Sequence, residues 1–306
     1  MNRRTFLKMT SAAAGAALSN GIIPNPPHAE ITDSALAEEA FGADLFRDDF
    51  SRLRPGWLSR PVGQLNGAIQ EHHYLANCGV SLGPWANAIC HLDAWIVGDE
   101  DGNPYLEQHL ANEQSGQMNP ILLTGDPEWH DSSVEVKVKP LSTTDMAGVV
   151  FRYHTNLHYY LFALTGGTQG RLAVRLPLEK LLRVAEWREL GRKDFTYDGK
   201  KYYVLRVEAV GHNIKAYVDN RLLFQVTDEE LPRGKAGITA NIPARFQDFR
   251  VSTTPTAKAR ITEGIRGRDA ELQRLRSDNP EPASWKRFFT PGFRAGRSAR
   301  FGDLDG

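Results

Sequence analysis

Between residues 45 and 253 apolar and polar side chains alternate with the period of a β-strand. Val134, Val136 and Val138 interleave with Glu135, Lys137 and Lys139, so one side of this run is written for a core and the other for water. Similar runs follow at 149–153, 159–164, 171–176 and 202–210, where Arg206 and Glu208 mark the polar side. Gly211-His212-Asn213 turns the chain into 214–218, and Asp219-Asn220 supplies a two-residue hairpin turn before 222–226. Gly234 and Gly237 frame a short strand at 238–241, and 246–251 closes the series. The stretch 179–190 reads equally as a helix or as a strand. Many strand-sized runs between turn signals, with few helices, predict an all-β fold, a sandwich or barrel of antiparallel strands.

The pattern changes at both ends. Residues 257–276 are polar and helical in character, with Ile261, Ile265, Leu272 and Leu275 as sparse apolar positions. From Pro255 to Gly306 eleven Lys/Arg face seven Asp/Glu, which predicts a solvated linker helix rather than an RNA- or lipid-binding arm. Asn279-Pro280-Glu281-Pro282 then breaks the helix. At the other end, Arg3-Arg4-Thr5-Phe6-Leu7-Lys8 precedes a mild, Ala-rich apolar stretch over 9–18. It resembles a bacterial twin-arginine export signal, with Arg3 and Arg4 addressing the export machinery and cleavage expected after Ala29. A folded, periplasmic or extracellular product is the expectation.

Composition narrows the classes. The 306 residues allow one large domain or two ordinary ones. With 37 basic and 37 acidic side chains the net charge is zero, which argues against a dedicated nucleic-acid binder. Two cysteines cannot build a disulfide scaffold or a four-cysteine zinc site. Cys78 and Cys90 leave open one disulfide or two separate thiols. No apolar run reaches the roughly 18 residues of a spanning helix, so no integral membrane segment is expected.

The opening Leu45-Phe46-Arg47-Asp48-Asp49-Phe50 and the closing Phe246-Gln247-Asp248-Phe249-Arg250-Val251 resemble the first and last strands of concanavalin A-like jelly rolls. Tyr203-Val204-Leu205-Arg206-Val207-Glu208 and Ile214-Lys215-Ala216-Tyr217-Val218-Asp219 extend the likeness to laminin G-like and 3-keto-glycoside hydrolase-like domains of secreted bacterial proteins. The resemblance implies an antiparallel two-sheet β-sandwich over 45–254, with Asp49 and Asp248 as candidate metal ligands. The tail Phe301-Gly302-Asp303-Leu304-Asp305-Gly306 resembles the opening of an FG-GAP propeller repeat, in which alternating carboxylates such as Asp303 and Asp305 converge on Ca²⁺. Together these features resemble secreted proteins related to propeller-type rhamnogalacturonan lyases, and they imply catalysis in a propeller beyond this chain. The implied order is signal peptide 1–29, linker 30–44, sandwich 45–254, helical basic linker 255–295 and the start of a repeat at 296–306.

Candidate chemistry within the sandwich is of three kinds. Glycoside hydrolysis needs two carboxyl groups flanking the scissile bond. No Glu-x-Asp-x-x-Glu string occurs, and Asp99-Glu100-Asp101-Gly102-Asn103 reads as a loop. A hydrolase would therefore gather Glu71, Asp93 and Glu107 from distant positions. His72-His73 and His154/His158 lack metal-ligand spacing and read as surface or hydrogen-bonded histidines. Sugar binding needs an aromatic platform beside polar groups. Strand parity puts Gly148, Val150 and Arg152 on one face and Val149, Phe151 and Tyr153 on the other. Arg152 with Tyr159, Trp85, Trp129 and Trp187 is the candidate lining of a sugar groove. Three readings follow: a carbohydrate-binding module of a larger polysaccharide-degrading protein, a glycoside hydrolase in its own right, or a spacer domain.

Overall fold

Alternating side chains on strands too short to stand alone must bury one face against another layer, and here two antiparallel sheets do so. The computed structural model describes residues 40–58, 81–82, 84–88, 94–110, 120–177 and 185–278, all within the compact unit Glu39–Gly306. In chain order the strands are β1 (Ala43–Asp48), β2 (Gly56–Trp57), β3 (Ser81–Leu82), β4 (Trp85–Asn87), β5 (Trp95–Glu100), β6 (Asn103–Gln108), β7 (Ile121–Thr124), β8 (Ser132–Pro140) and β9 (Met146–Thr155). Then follow β10 (His158–Thr165), β11 (Gln169–Pro177), β12 (Ala185–Asp194), β13 (Tyr203–Val210), β14 (Asn213–Val218), β15 (Arg221–Thr227), β16 (Lys235–Ala240), β17 (Ala244–Thr253) and the helix α1 (Pro255–Asp278).

The first sheet has nine strands in the order β15-β14-β13-β8-β17-β6-β5-β2, with β1 also on β17. The second has eight, in the order β12-β11-β10-β9-β16-β7-β4-β3. Strand β17 ties the first sheet together. One edge pairs with β8; the other is shared between β6, at residues 244–246, and β1, at 249–253. The first and last strands of the fold are therefore neighbours, and the protein is an antiparallel two-sheet β-sandwich with a C-terminal helix. Between the sheets Val134, Val136 and Val138 of β8 and Phe246, Phe249 and Val251 of β17 meet Val149, Phe151, Tyr160, Phe162 and Leu164 of β9 and β10. Each such side chain contributes about 1.5–3 kcal/mol on burial. The Asp219-Asn220 turn has positive φ at both residues, 48° and 64°, as a tight primed hairpin requires.

Where 179–190 fits two elements, residues 185–194 form the edge strand β12, paired along its length with β11. Charged residues on an edge strand discourage pairing with other chains, and they also blur its alternation. The helix is exposed along most of its length, as a solvated helix should be, and it docks at its start. Thr254 caps it by accepting a hydrogen bond from Ala257 N at 3.1 Å, and Pro255 occupies its first position. Ala257 and Ile261, four residues apart, are buried in the sandwich, while Leu272 farther along is exposed. Arg268 grips Asp126 through two hydrogen bonds at 2.5 and 2.9 Å, and Arg260 reaches Asp131 at 3.2 Å. Among the described residues no helix is long and apolar enough to cross a membrane.

Candidate functional site

The outer face of the second sheet, turned away from the first, carries a row of aromatic and guanidinium groups across β9 to β12. Register places it there: Tyr159 pairs with Arg175, and Arg175 pairs with Trp187. Directly opposed residues share a face, so these three side chains stand in one line across the strands. Tyr153 stacks on Tyr159 with ring centroids 5.5 Å apart and 26° between planes. Tyr159 in turn meets Trp187 edge-on, at 5.7 Å and 90°. Burial pushes the Tyr159 hydroxyl up, so it stays a neutral phenol. The guanidinium carbons of Arg171 and Arg175 lie 4.6 and 5.0 Å from the Trp187 ring centroid.

Glu189 anchors one end of this row. Its carboxylate accepts from Arg171 Nε at 2.8 Å, from Arg171 Nη2, and from Arg192 Nε at 3.2 Å. Burial alone would push the Glu189 carboxyl up, but the Arg171 hydrogen bond and the charges of Arg171 and Arg192 outweigh it, and the net shift is downward. Glu189 is thus an anion committed to Arg171 and Arg192. Arg175, two positions beyond Ala173 on the same face of β11, shares the indole but not the carboxylate.

Of the sugar-groove candidates, the structure brings Tyr159 and Trp187 together and separates the others, but Tyr159 is 2% exposed and of the pair only Trp187 is partly open. Trp85 is 1% exposed and lies between the sheets, with Phe249 at 5.1 Å and Phe46 at 5.5 Å, its Nε1 donating to Asp48 Oδ2 at 2.8 Å. Trp129 is 7% exposed and its ring covers Gly125, where a Cβ would come within 2.1 Å of it. Arg152 does not share a face with Gly148 and Val150. It takes φ 46° at a bulge where the registers of β9 with β10 and β16 both shift. The bulge reverses the parity, so Tyr153 joins Val150 in the outer-face cluster while Arg152, 3% exposed, is buried. There its guanidinium donates to Leu231 O at 2.9 Å and Gly211 O at 2.7 Å.

Of the hydrolytic candidates, Glu71 and Asp93 lie outside the described residues. Glu107, on the first sheet, accepts from Arg245 Nε at 2.8 Å, and Arg245 also reaches Glu100 at 3.3 Å while covering the Tyr105 ring at 4.3 Å. Glu100 is further bound by Lys139 at 2.6 Å and Tyr202 Oη at 3.1 Å. The Lys139 hydrogen bond holds the Glu100 carboxyl below its ordinary range. Glu100 ends β5 rather than lying in a free loop, and the turn narrows to Asp101-Gly102.

The candidate metal ligands are not brought together. Asp49 Oδ1 accepts from Ser51 N at 3.0 Å and Ser51 Oγ at 2.6 Å, closing its own turn. Asp248 pairs with Lys137 Nζ at 2.6 Å. Their oxygens already serve protein donors and do not fit the several-oxygen shell that Ca²⁺ requires. Among the described residues no group of three or more His, Cys, Asp and Glu could hold a metal ion. His158 Nε2 is bonded to Glu230 at 2.9 Å and His154 Nε2 to Arg233 O at 2.8 Å, as hydrogen-bonded histidines. Arg3, Arg4, His72, His73, Cys78, Cys90, Asp303 and Asp305 lie outside the described residues.

Sequence reasoning missed Arg171, Arg175 and Glu189. A signal was present for the first two: Arg171, Ala173 and Arg175 alternate with the buried Leu172 and Val174, which marks them as outward-facing. Nothing local shows that Trp187 lies opposite Arg175.

No protein-family model and no curated protein matches this chain. Among solved structures it is similar to the carbohydrate-binding module CBM66 from Bacillus subtilis, at 15% identity and TM-score 0.43 over 56% of this chain and 96% of that one. It is also similar to the GH43 protein BlXynB from Bacillus licheniformis, at 16% identity and TM-score 0.43, over 59% of this chain and 39% of that one. A third is domain 4 of AbnA, a GH43 extracellular arabinanase from Geobacillus stearothermophilus in complex with arabinotriose, at 11% identity and TM-score 0.36, covering 52% and 75%. At these identities and scores the likeness says nothing about the ligand of this chain.

Proposed function

We propose that this β-sandwich binds carbohydrate on the outer face of its second sheet, around Trp187. The observation that carries the reading is the half-buried Trp187 indole flanked by Arg171 and Arg175 on the sheet, with the buried Tyr153 and Tyr159 packed against it as support rather than as contact surface. A sugar ring has an apolar C–H face and a rim of hydroxyls. A half-buried indole contacts the first, and guanidinium forks fixed beside it donate to the second. Sheet register holds these groups in place, so little side-chain freedom is lost on binding.

The hydrolase reading is less well supported. A general acid for glycosidic cleavage is a carboxyl kept protonated by a raised pKa. The described carboxyls that depart from their ordinary range, at Asp49, Glu100, Asp126, Glu189 and Glu271, are all shifted downward. The same proposal includes export through Arg3 and Arg4, Ca²⁺ at Asp303 and Asp305, and a place in a larger rhamnogalacturonan lyase-like protein. Those elements rest on the sequence motifs.

The test is affinity electrophoresis of the full chain in gels holding neutral and acidic polysaccharides. At least one polysaccharide should retard it, and Trp187→Ala should weaken that retardation at least tenfold while the thermal midpoint stays within a few degrees. Retardation by none of them would remove the reading. Release of reducing ends would move it to catalysis.

A further inference from the structure

We infer that the glycan taken by this face is acidic, with the carboxylate of a uronic sugar held by Arg175. The inference rests on the carbohydrate reading and adds the class of ligand. Among the described residues around Trp187 the outer face presents three guanidiniums, Arg171, Arg175 and Arg192, and one carboxylate, Glu189. That carboxylate is fully engaged: Arg171 reaches it through Nε and Nη2, and Arg192 through Nε. Arg192 also donates to Gln169 Oε1 at 3.2 Å.

Arg175 stands apart. Among the described residues its side chain has no ion-pair partner, and its Nε is buried without a hydrogen-bond partner. It lies over the Trp187 ring, whose centroid is 5.0 Å from the guanidinium carbon. A half-buried cation that no described carboxylate pairs with destabilises the fold unless something else compensates it. The indole face compensates only weakly and leaves the buried Nε–H without an acceptor.

The chemistry of what would complete this site follows from its shape. A guanidinium is a planar fork, and a carboxylate presents two oxygens in the same plane at matching spacing. A sugar hydroxyl would take one donor and leave the charge uncompensated. A uronic sugar carries its carboxylate on the ring, so the C–H face can meet the indole while the carboxylate reaches the neighbouring guanidinium. The short reach between Trp187 and Arg175 suits one ring rather than two separate ligands.

Isothermal titration of the full chain against alginate, polygalacturonate, fully methyl-esterified polygalacturonate, dextran and dextran sulfate decides the matter. At least one of the two uronate polymers should bind, at least tenfold more tightly than the ester or dextran. Arg175→Gln should weaken that binding at least tenfold with circular dichroism unchanged. Arg175→Lys, which keeps the charge and loses the fork, should weaken it severalfold and covers the case in which the glutamine variant fails to fold. If dextran or the ester binds as tightly as the acid and the Arg175 variants bind normally, the acidic-ligand inference falls and the carbohydrate reading stands. Equal binding of dextran sulfate would replace the carboxylate by polyanion attraction and overturn the inference. Binding of none of the five overturns both.

Discussion

Arg152 became a structural residue because of one backbone torsion. With φ at 46° it sits on a bulge, and its side chain enters the sandwich instead of joining Val150 outside. Buried there, it satisfies the carbonyls of Gly211 and Leu231 and so secures the connection between β15 and β16. Arg152→Met should therefore lower the unfolding free energy by about 1–3 kcal/mol, since the buried Leu231 carbonyl and the part-buried bond to Gly211 O lose a charged donor. Urea denaturation reads the loss, and glycan retardation should be unchanged. A variant of normal stability that no longer bound sugar would return Arg152 to the site. Trp85 makes the same point: its composition and neighbours suit a platform, yet the hydrogen bond to Asp48 and the rings of Phe46 and Phe249 place it in the core. Residue type gave the shortlist of aromatics, and of these burial leaves Trp187 partly open.

Element by element, the strands were legible and the spacing between them was not. The valine alternation of β8 and the turns at Gly211 and Asp219-Asn220 are local signals, and the structure realises each of them. Strand β12 was ambiguous because its pattern of Glu, Trp and Arg suits an edge position with two polar faces. Close approach of β9 and β10 is another fact that the strand pattern hides. A Cβ on Gly148 would lie 2.1 Å from the Phe162 carbonyl oxygen, inside any allowed contact. Gly148→Ala should force the two strands apart and destabilise the domain by about 1–3 kcal/mol or more, visible as a lower thermal midpoint. An unchanged midpoint would mean that this pair of strands yields freely. Helix α1 belongs here too: Ala257 and Ile261 with the Arg268–Asp126 pair suffice to dock a segment whose composition reads as solvated.

On the scale of the whole molecule, charge sets the response to acid. The Lys139 hydrogen bond lowers Glu100, while in Asp126 and Glu189 burial pulls the other way and loses to arginine partners. Groups whose folded pKa lies below the unfolded one, about 4 for a carboxyl, stabilise the fold fully above that value and lose the contribution as pH falls through the lowered one. His130 acts in the same direction, because burial, opposed by the Asp131 charge, holds its imidazole down. Protonating it from about pH 6.5 downward costs folded-state stability. Thermal midpoints should thus fall gently below pH 6.5 and steeply below about pH 4, and Glu100→Gln should flatten the steep part. A midpoint that rose between pH 5 and pH 3 would contradict this account.

The chain by itself determined that the protein is a set of antiparallel strands with defined turns, because alternation and turn chemistry depend on residues within a few positions of one another. It also determined the stock of aromatic and basic side chains from which a sugar-binding face could be made. Only the tertiary structure decided which strands became neighbours, where a bulge reversed the parity of β9, and that Tyr159, Arg175 and Trp187 stand in one line. Those outcomes follow from long-range register, where the gain from burying one face of every strand at once selects a single alignment that no local stretch encodes.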